Sequence, residues 1–246
     1  MMQMQVQQTR TEKEREKRLA QIIKSQGVVD AKRELVRYEP EVAFALLIHL
    51  FTKEATATKR LNQVLVIVFC LYFTLVSLWC TKNLHGSGLW PLFTIPIWNF
   101  LGWRKNKKQA ALLRIESLAT LLTDRIKQAE RSDLGTLLTL APLAWENATL
   151  QVPLRDQLAS LLARTPTDEL FHLTLEQRTG LQIATRKAID EARYNDFFEP
   201  LAVAGLLALG SLKDISLKNV AERAMLQHTR GHVYAAAEEY LTQIAK

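Results

Sequence analysis

Charge is almost missing from the middle of this chain. Between positions 61 and 103 one charged side chain occurs, Lys82. Cysteine is scarce as well. Cys70 and Cys80 both lie in the first apolar run. Ten residues along a helix is about 15 Å, too far for a disulfide between them, so they read as small apolar packing residues. A phosphate-binding loop is missing too. Gly86-Ser87-Gly88 precedes an apolar segment and lacks the Lys-Ser/Thr that would follow in a P-loop. No nucleophile elbow occurs. Alternating β-branched runs are few, which argues against a sheet. These absences leave no motif for phosphate chemistry or acyl transfer, and none for a cofactor. The expectation is a chain that is not an enzyme.

What is present is distributed unevenly over the 246 residues. Residues 1–60 carry twelve Lys/Arg against eight Asp/Glu, and the net charge of +7 gives a pI near 9.5. A basic protein invites a nucleic-acid reading. Here the basic residues crowd the ends of the apolar stretch, with Lys59 and Arg60 before it and Arg104, Lys105, Lys107 and Lys108 after it. That placement argues against nucleic acid and predicts contact with a lipid bilayer. Leu61–Cys80 has the length of a bilayer core, about 20 residues. Gly88–Trp103 is shorter and carries Pro91 and Pro96, which membrane helices tolerate where neighbours satisfy the freed carbonyls. Trp79, Trp90, Trp98 and Trp103 suit interface anchors. The polar, Gly-containing stretch 81–88 suits a turn.

The expectation is therefore a transmembrane helical hairpin, 61–80 and 88–103. By the distribution of basic residues the protein would be an integral membrane protein with both termini cytoplasmic. A single span with an interfacial second segment is the alternative. Some sixty residues precede the first run, too many for the charged leader of a secretory signal.

Residues 1–60 read as an N-terminal helical region. Thr11 and Glu14 form a capping-box pattern, Glu14 and Arg18 are spaced for an i,i+4 pair, and Gly27 suits a helix stop. A second short helix is expected over 29–38. Pro40 suits the first turn of a third, whose apolar run 42–51 is too short to span a membrane.

Residues 104–246 form the third region. Apolar residues recur there at helical spacing in 112–122, 153–163, 200–210 and 233–244. The copies are separated by about 35 to 45 residues, with helical stretches between them at 132–145 and 216–229, as in paired-helix repeats. Ala159, Ala204, Gly205, Ala236 and Ala237 permit close helix approach. A helical bundle without true repeats is the alternative.

On these residues the chain, over about 107–246, resembles the HEAT-repeat superfamily. The segment 201–214 is similar to the first helix and turn of such a repeat, with Asp214 in the turn. The segment 232–244 is similar to the Ala-rich helix after an inter-repeat turn. The arginine usual there is replaced by Tyr234 or displaced to Arg230, and the middle copy is stretched by 165–180. The resemblance implies a C-terminal HEAT-like α-solenoid and a function in holding another protein, with an accessory factor or bilin-lyase-like helper as an alternative. With the hairpin before it, the expected fold is all-α, a transmembrane helical hairpin plus that solenoid, and the hairpin adds a second alternative, a structural subunit of a larger membrane complex.

Little else suggests chemistry. His228 and His232 are spaced i,i+4, but a metal site needs three or four converging ligands, and two solvated histidines at a turn explain the pair. Asp168-Glu169, Asp190-Glu191 and Glu238-Glu239 suit solvated helix faces. The Asn147-Ala148-Thr149 sequon would matter only in a secretory lumen. No small-molecule substrate is evident.

Overall fold

The computed structural model describes residues 2–25, 27–82, 90–227 and 231–245. Side chains are described from Glu14 onward, and between 61 and 104 for Gln63, Val66, Ile67, Cys70, Leu71 and Thr74. The described residues are helical, with no strand among them. The all-α expectation holds. Eleven α-helices are described: α1 (Met2–Ser25), α2 (Val28–Leu35), α3 (Pro40–Lys82), α4 (Trp90–Lys127), α5 (Leu134–Ala144), α6 (Ala148–Arg164), α7 (Thr167–Phe171), α8 (Leu175–Ala192), α9 (Glu199–Ser211), α10 (Lys218–Gln227) and α11 (His232–Ala245). Short 3-10 turns precede α5, α9 and α10.

The chain divides into two compact units. One holds residues 1–38 and 49–118, the other 39–48 and 119–246. In the first unit α1 ends at Ser25, and Gly27 takes a positive φ of 87° before α2, a conformation that a side chain would strain. Glu34 of α2 is buried and accepts Arg18 of α1 (3.0 Å), Arg37 (2.9 Å) and the Tyr38 hydroxyl (3.1 Å). Three donors on one carboxylate are what a buried charge requires. Glu16 accepts Lys53 Nζ at 2.5 Å, and Glu54 accepts Arg114 Nη2 at 3.2 Å.

The long apolar stretch departs from expectation. Its first run is the second half of the 43-residue helix α3, which starts at Pro40 and passes through 42–51 without a break. The second run lies in α4, a 38-residue helix that includes Pro91 and Pro96. Among the described residues no helix is long and apolar enough to cross a membrane. The transmembrane hairpin, and with it integral-membrane localisation with both termini cytoplasmic, is corrected on that finding. The reading from sequence counted missing charges. The described side chains of the run instead place Gln63 and Thr74 at three- and four-residue spacing with Val66, Ile67, Cys70 and Leu71, so one exposed face mixes polar and apolar groups. Cys70 is exposed, not packed. The turn expected within 81–88 falls largely on 83–89, outside the described residues.

The second unit contains the helical array. Consecutive helices pair, α5 on α6, α8 on α9 and α10 on α11. Across the pairs α5 packs on α8, while α6, α9 and α11 pack in a row. The apolar stripes face these contacts. Leu137, Leu138, Leu140 and Ala141 of α5 are fully buried, as are Leu150, Leu154 and Leu158 of α6 and Leu201, Leu206 and Leu209 of α9. Each buried leucine contributes about 1.5–3 kcal/mol relative to exposure.

The stretch 165–180 that lengthens the middle copy holds a short extra helix, α7, and the first turn of α8. Thr174 Oγ accepts the Gln177 N–H (3.3 Å), and Gln177 Oε1 accepts the Thr174 N–H (2.8 Å), a reciprocal capping box. Leu181, Ala184, Thr185, Ala188, Ile189 and Ala192 then form one buried stripe. Gly180 allows α8 to approach α5, because a Cβ there would stand 1.9 Å from the Leu138 carbonyl oxygen.

Candidate functional site

Asn147 caps α6, its side-chain oxygen accepting the N–H groups of Thr149 (3.0 Å) and Leu150 (3.3 Å). The sequon asparagine is thus used as a helix cap. Asn195 does the same for the 3-10 turn before α9, accepting the Phe197 N–H at 3.1 Å. These two caps set the starts of α6 and α9. Between the helices lies an open groove of about 620 Å³. Ala159, Ala163, Val203, Ala204, Leu207 and Ala208 line it. Small side chains on both facing helices keep the groove open. Leu170 of α7 adds to the apolar lining, and Ser160, Thr165 and Ser211 supply hydroxyls.

Arg155, Asp156 and Phe197 also line the groove. The Arg155 side chain is 9% exposed and its neighbour Asp156 is 60% exposed. Arg155 Nε donates to Asp156 Oδ1 (2.7 Å), and Nη2 lies 2.6 Å from the same oxygen as an ion pair. Its guanidinium carbon sits 4.9 Å from the Phe198 ring centroid and 5.6 Å from that of Phe197. Phe198 is buried and meets Trp145 at 6.0 Å between ring centroids, whereas Phe197 is 73% exposed. An exposed phenylalanine thus stands beside an apolar groove, within cation–π range of a buried arginine.

The turn between α9 and α10 holds a second polar cluster. Asp214 Oδ2 accepts Gln182 Nε2 of α8 (2.6 Å), and Oδ1 accepts the Ser216 N–H (2.9 Å). The Asp214 carbonyl accepts the buried Tyr240 hydroxyl of α11 at 2.6 Å. Burial alone would raise the Asp214 carboxyl. The hydrogen bonds from Ser216 and Gln182, with the charge of Arg178, outweigh it and hold the group below its ordinary value. Burial raises the Tyr240 hydroxyl. These groups tie two helices, α8 and α11, to one turn, and every polar atom named has a partner. The cluster is structural. On the surface Arg131 holds Glu169 through two bonds, which lowers the Glu169 carboxyl and raises Arg131.

A second cavity, about 410 Å³, is bordered by Glu39, Glu41, Glu130 and Asp133 around Phe44 and Arg125. The Asp133 carboxylate is engaged as a cap, accepting the Glu130 N–H at 2.9 Å.

The residues singled out for membrane anchoring do not converge on either cavity. Lys59 and Arg60 are exposed on α3, and Lys105, Lys107 and Lys108 are exposed on α4. The side chains of Trp79, Trp90, Trp98, Trp103 and Arg104 lie outside the described residues. His228 and Arg230 lie outside them too, while His232 and the three acidic pairs are exposed. Among the described residues no group of three metal-ligating side chains converges.

The reading from sequence missed Arg155 and Phe197. Two signals were present. Asn195-Asp196-Phe197 is an Asx-turn pattern that presents its third residue, and Thr174-x-x-Gln177 is the capping box that marks α8. Compared with known families, with curated proteins and with solved structures, the chain matches none.

Proposed function

We propose that this chain is a protein-recognition module whose helical array, of HEAT-like type, binds another protein through the groove between α6 and α9. The open groove beside exposed Phe197 carries the reading. The spacing of the pairs supports the comparison with HEAT-like arrays. The first helix of each pair begins at Leu134, Leu175 and Lys218, and intervals of about 40–47 residues are those of HEAT-type repeats. Such arrays offer long surfaces because each pair contacts only its neighbours. The work of the site is recognition: its lining is mostly apolar, its one arginine is already engaged by an adjacent carboxylate, and its remaining polar groups are hydroxyls.

Site-specific photocrosslinking tests this. A photoreactive residue at Val203 or Ser160 should give discrete protein adducts in cells of the native host. The same residue at Glu222 or Glu238, exposed on α10 and α11, should not give them. Ala204→Trp, which fills the groove, should abolish the adducts from Ser160. Adducts equally frequent at all four positions, or indifferent to Ala204→Trp, would reject the groove as the site.

The exposed face of α3 favours a second reading, a subunit of a larger assembly held through Val66, Ile67 and Leu71. Adducts from Val66 with none from the groove would select it.

A further inference from the structure

The chemistry of the groove narrows its occupant, provided that the recognition reading holds. Its walls are two α-helices. Their backbone N–H and C=O groups are already used within each helix, so an extended peptide would find no ladder of donors and acceptors there. An occupant must satisfy its own backbone, which favours a helix. The alanines at 159, 163, 204 and 208 permit close approach, because small residues let the ridges of an incoming helix sink between α6 and α9. The lining on α9 runs from Pro200 to Ser211, about 17 Å, room for roughly three turns of a partner helix.

Charge adds a second requirement. Arg155 is nine-tenths buried, yet its hydrogen bond and its ion pair both go to the single oxygen Asp156 Oδ1. Nη1 donates no hydrogen bond to any described residue. The guanidinium lies within cation–π range of the Phe197 and Phe198 rings, and Arg155 itself lines the groove. A guanidinium with one edge engaged and one edge open fits a carboxylate. Covering Phe197 would also remove water from that contact and strengthen it.

We propose that the groove receives an amphipathic helix of a partner protein that sets an Asp or Glu side chain against the Nη1 edge of Arg155, its apolar stripe lying over Phe197 and the alanine floor. The acidic residue gives orientation and the apolar stripe gives area.

A displayed library of 20-residue helical peptides tests this, with the contact positions at i, i+3, i+4 and i+7 randomised and selection on the full chain. The expected winners carry apolar residues with one Asp or Glu among those positions. Changing that acid to Gln or Asn in the peptide should weaken binding at least tenfold by fluorescence anisotropy, and Ala204→Trp in the protein should remove it. The change in the peptide leaves the protein intact, so the result does not depend on whether an Arg155→Gln variant folds. Where that variant retains its helical circular dichroism, it should erase the preference for acid over amide. Winners without an acid, winners that ignore Ala204→Trp, or no winners would overturn the proposal. Decanoate binding that Ala204→Trp abolishes, with no peptide selected, would replace the helix by a small apolar acid. Photocrosslinks from Val203 that persist alongside a failed selection would leave protein recognition standing and remove only the acidic helix.

Discussion

At the scale of single residues, the array depends on positions where nothing larger fits. Gly180 is the clearest. Any Cβ there would meet the Leu138 carbonyl oxygen at 1.9 Å, and a backbone atom in a packed helix cannot turn aside as a side chain can. Gly180→Ala should therefore destabilise the protein despite alanine's better helix propensity. Overpacking costs about 1–3 kcal/mol in general, and this position belongs at the upper end. Gly135 is the contrast. Its added Cβ would meet the Gln177 side-chain amide at 2.4 Å, and that side chain can rotate away at the loss of its capping bond. Gly135→Ala should stay within about 1 kcal/mol of wild type, because the helix-propensity gain of similar size offsets the lost cap. Urea unfolding of both variants, followed by circular dichroism, checks the order. Equal effects would mean that α5 and α8 are not in close contact at Gly180.

At the scale of elements, the α9–α10 turn joins α8 and α11 through Asp214. Its carboxyl has a lower pKa in the folded chain than in the unfolded one, so the unfolded chain takes up the proton first as pH falls. The stabilisation is complete above the ordinary carboxylate value and is lost as pH drops through the lowered value. Amide protection factors in α10 and α11, corrected for the intrinsic pH dependence of exchange, should accordingly fall on acidification through that window. Asp214→Asn should be less stable than wild type at neutral pH and should show a flatter acid dependence. A variant with an unchanged acid profile would assign the slope to other carboxylates. Tyr240→Phe should cost about 1 kcal/mol, the usual effect of removing one partner of a buried hydrogen bond, because it leaves the Asp214 carbonyl without its donor. Thermal melts at neutral pH measure it.

At the scale of the whole molecule, the units do not follow the sequence blocks. The second unit includes residues 39–48 as well as 119–246, and Ala43, Phe44 and Leu47 of that early segment are buried. A fragment of residues 107–246 should therefore be helical yet incomplete. It should bind the dye ANS and melt at a lower temperature and less cooperatively than the full chain. Supplying residues 39–48 as a linked segment should reduce dye binding and raise the midpoint. A fragment that melts like the full chain and binds no dye would show that the early segment contributes nothing to that core.

The sequence by itself determined the all-helical character, because 3.6-residue spacing of apolar side chains and the near absence of alternating runs are local properties. It also located Gly27 as a helix stop and Pro40 as a helix start, since each rests on backbone preferences within a few residues, whereas Asp214 in a turn came from the resemblance to helical repeats. Only the tertiary structure decided the rest. The charge gap at 61–103 was legible as a pattern, but the length of α3 and the mixed exposed face formed by Gln63, Val66, Ile67, Cys70, Leu71 and Thr74 were not, because a count of missing charges ignores which side chains share a face. The stripe of α8 holds three alanines and a threonine beside Leu181 and Ile189, so its hydrophobic signal is weak and its burial comes from partners far along the chain. The groove was equally hidden. Arg155 and Phe197 are 42 residues apart in sequence, and nothing local to either brings them together; the packing of α6 on α9 sets the guanidinium 5.6 Å from the Phe197 ring centroid.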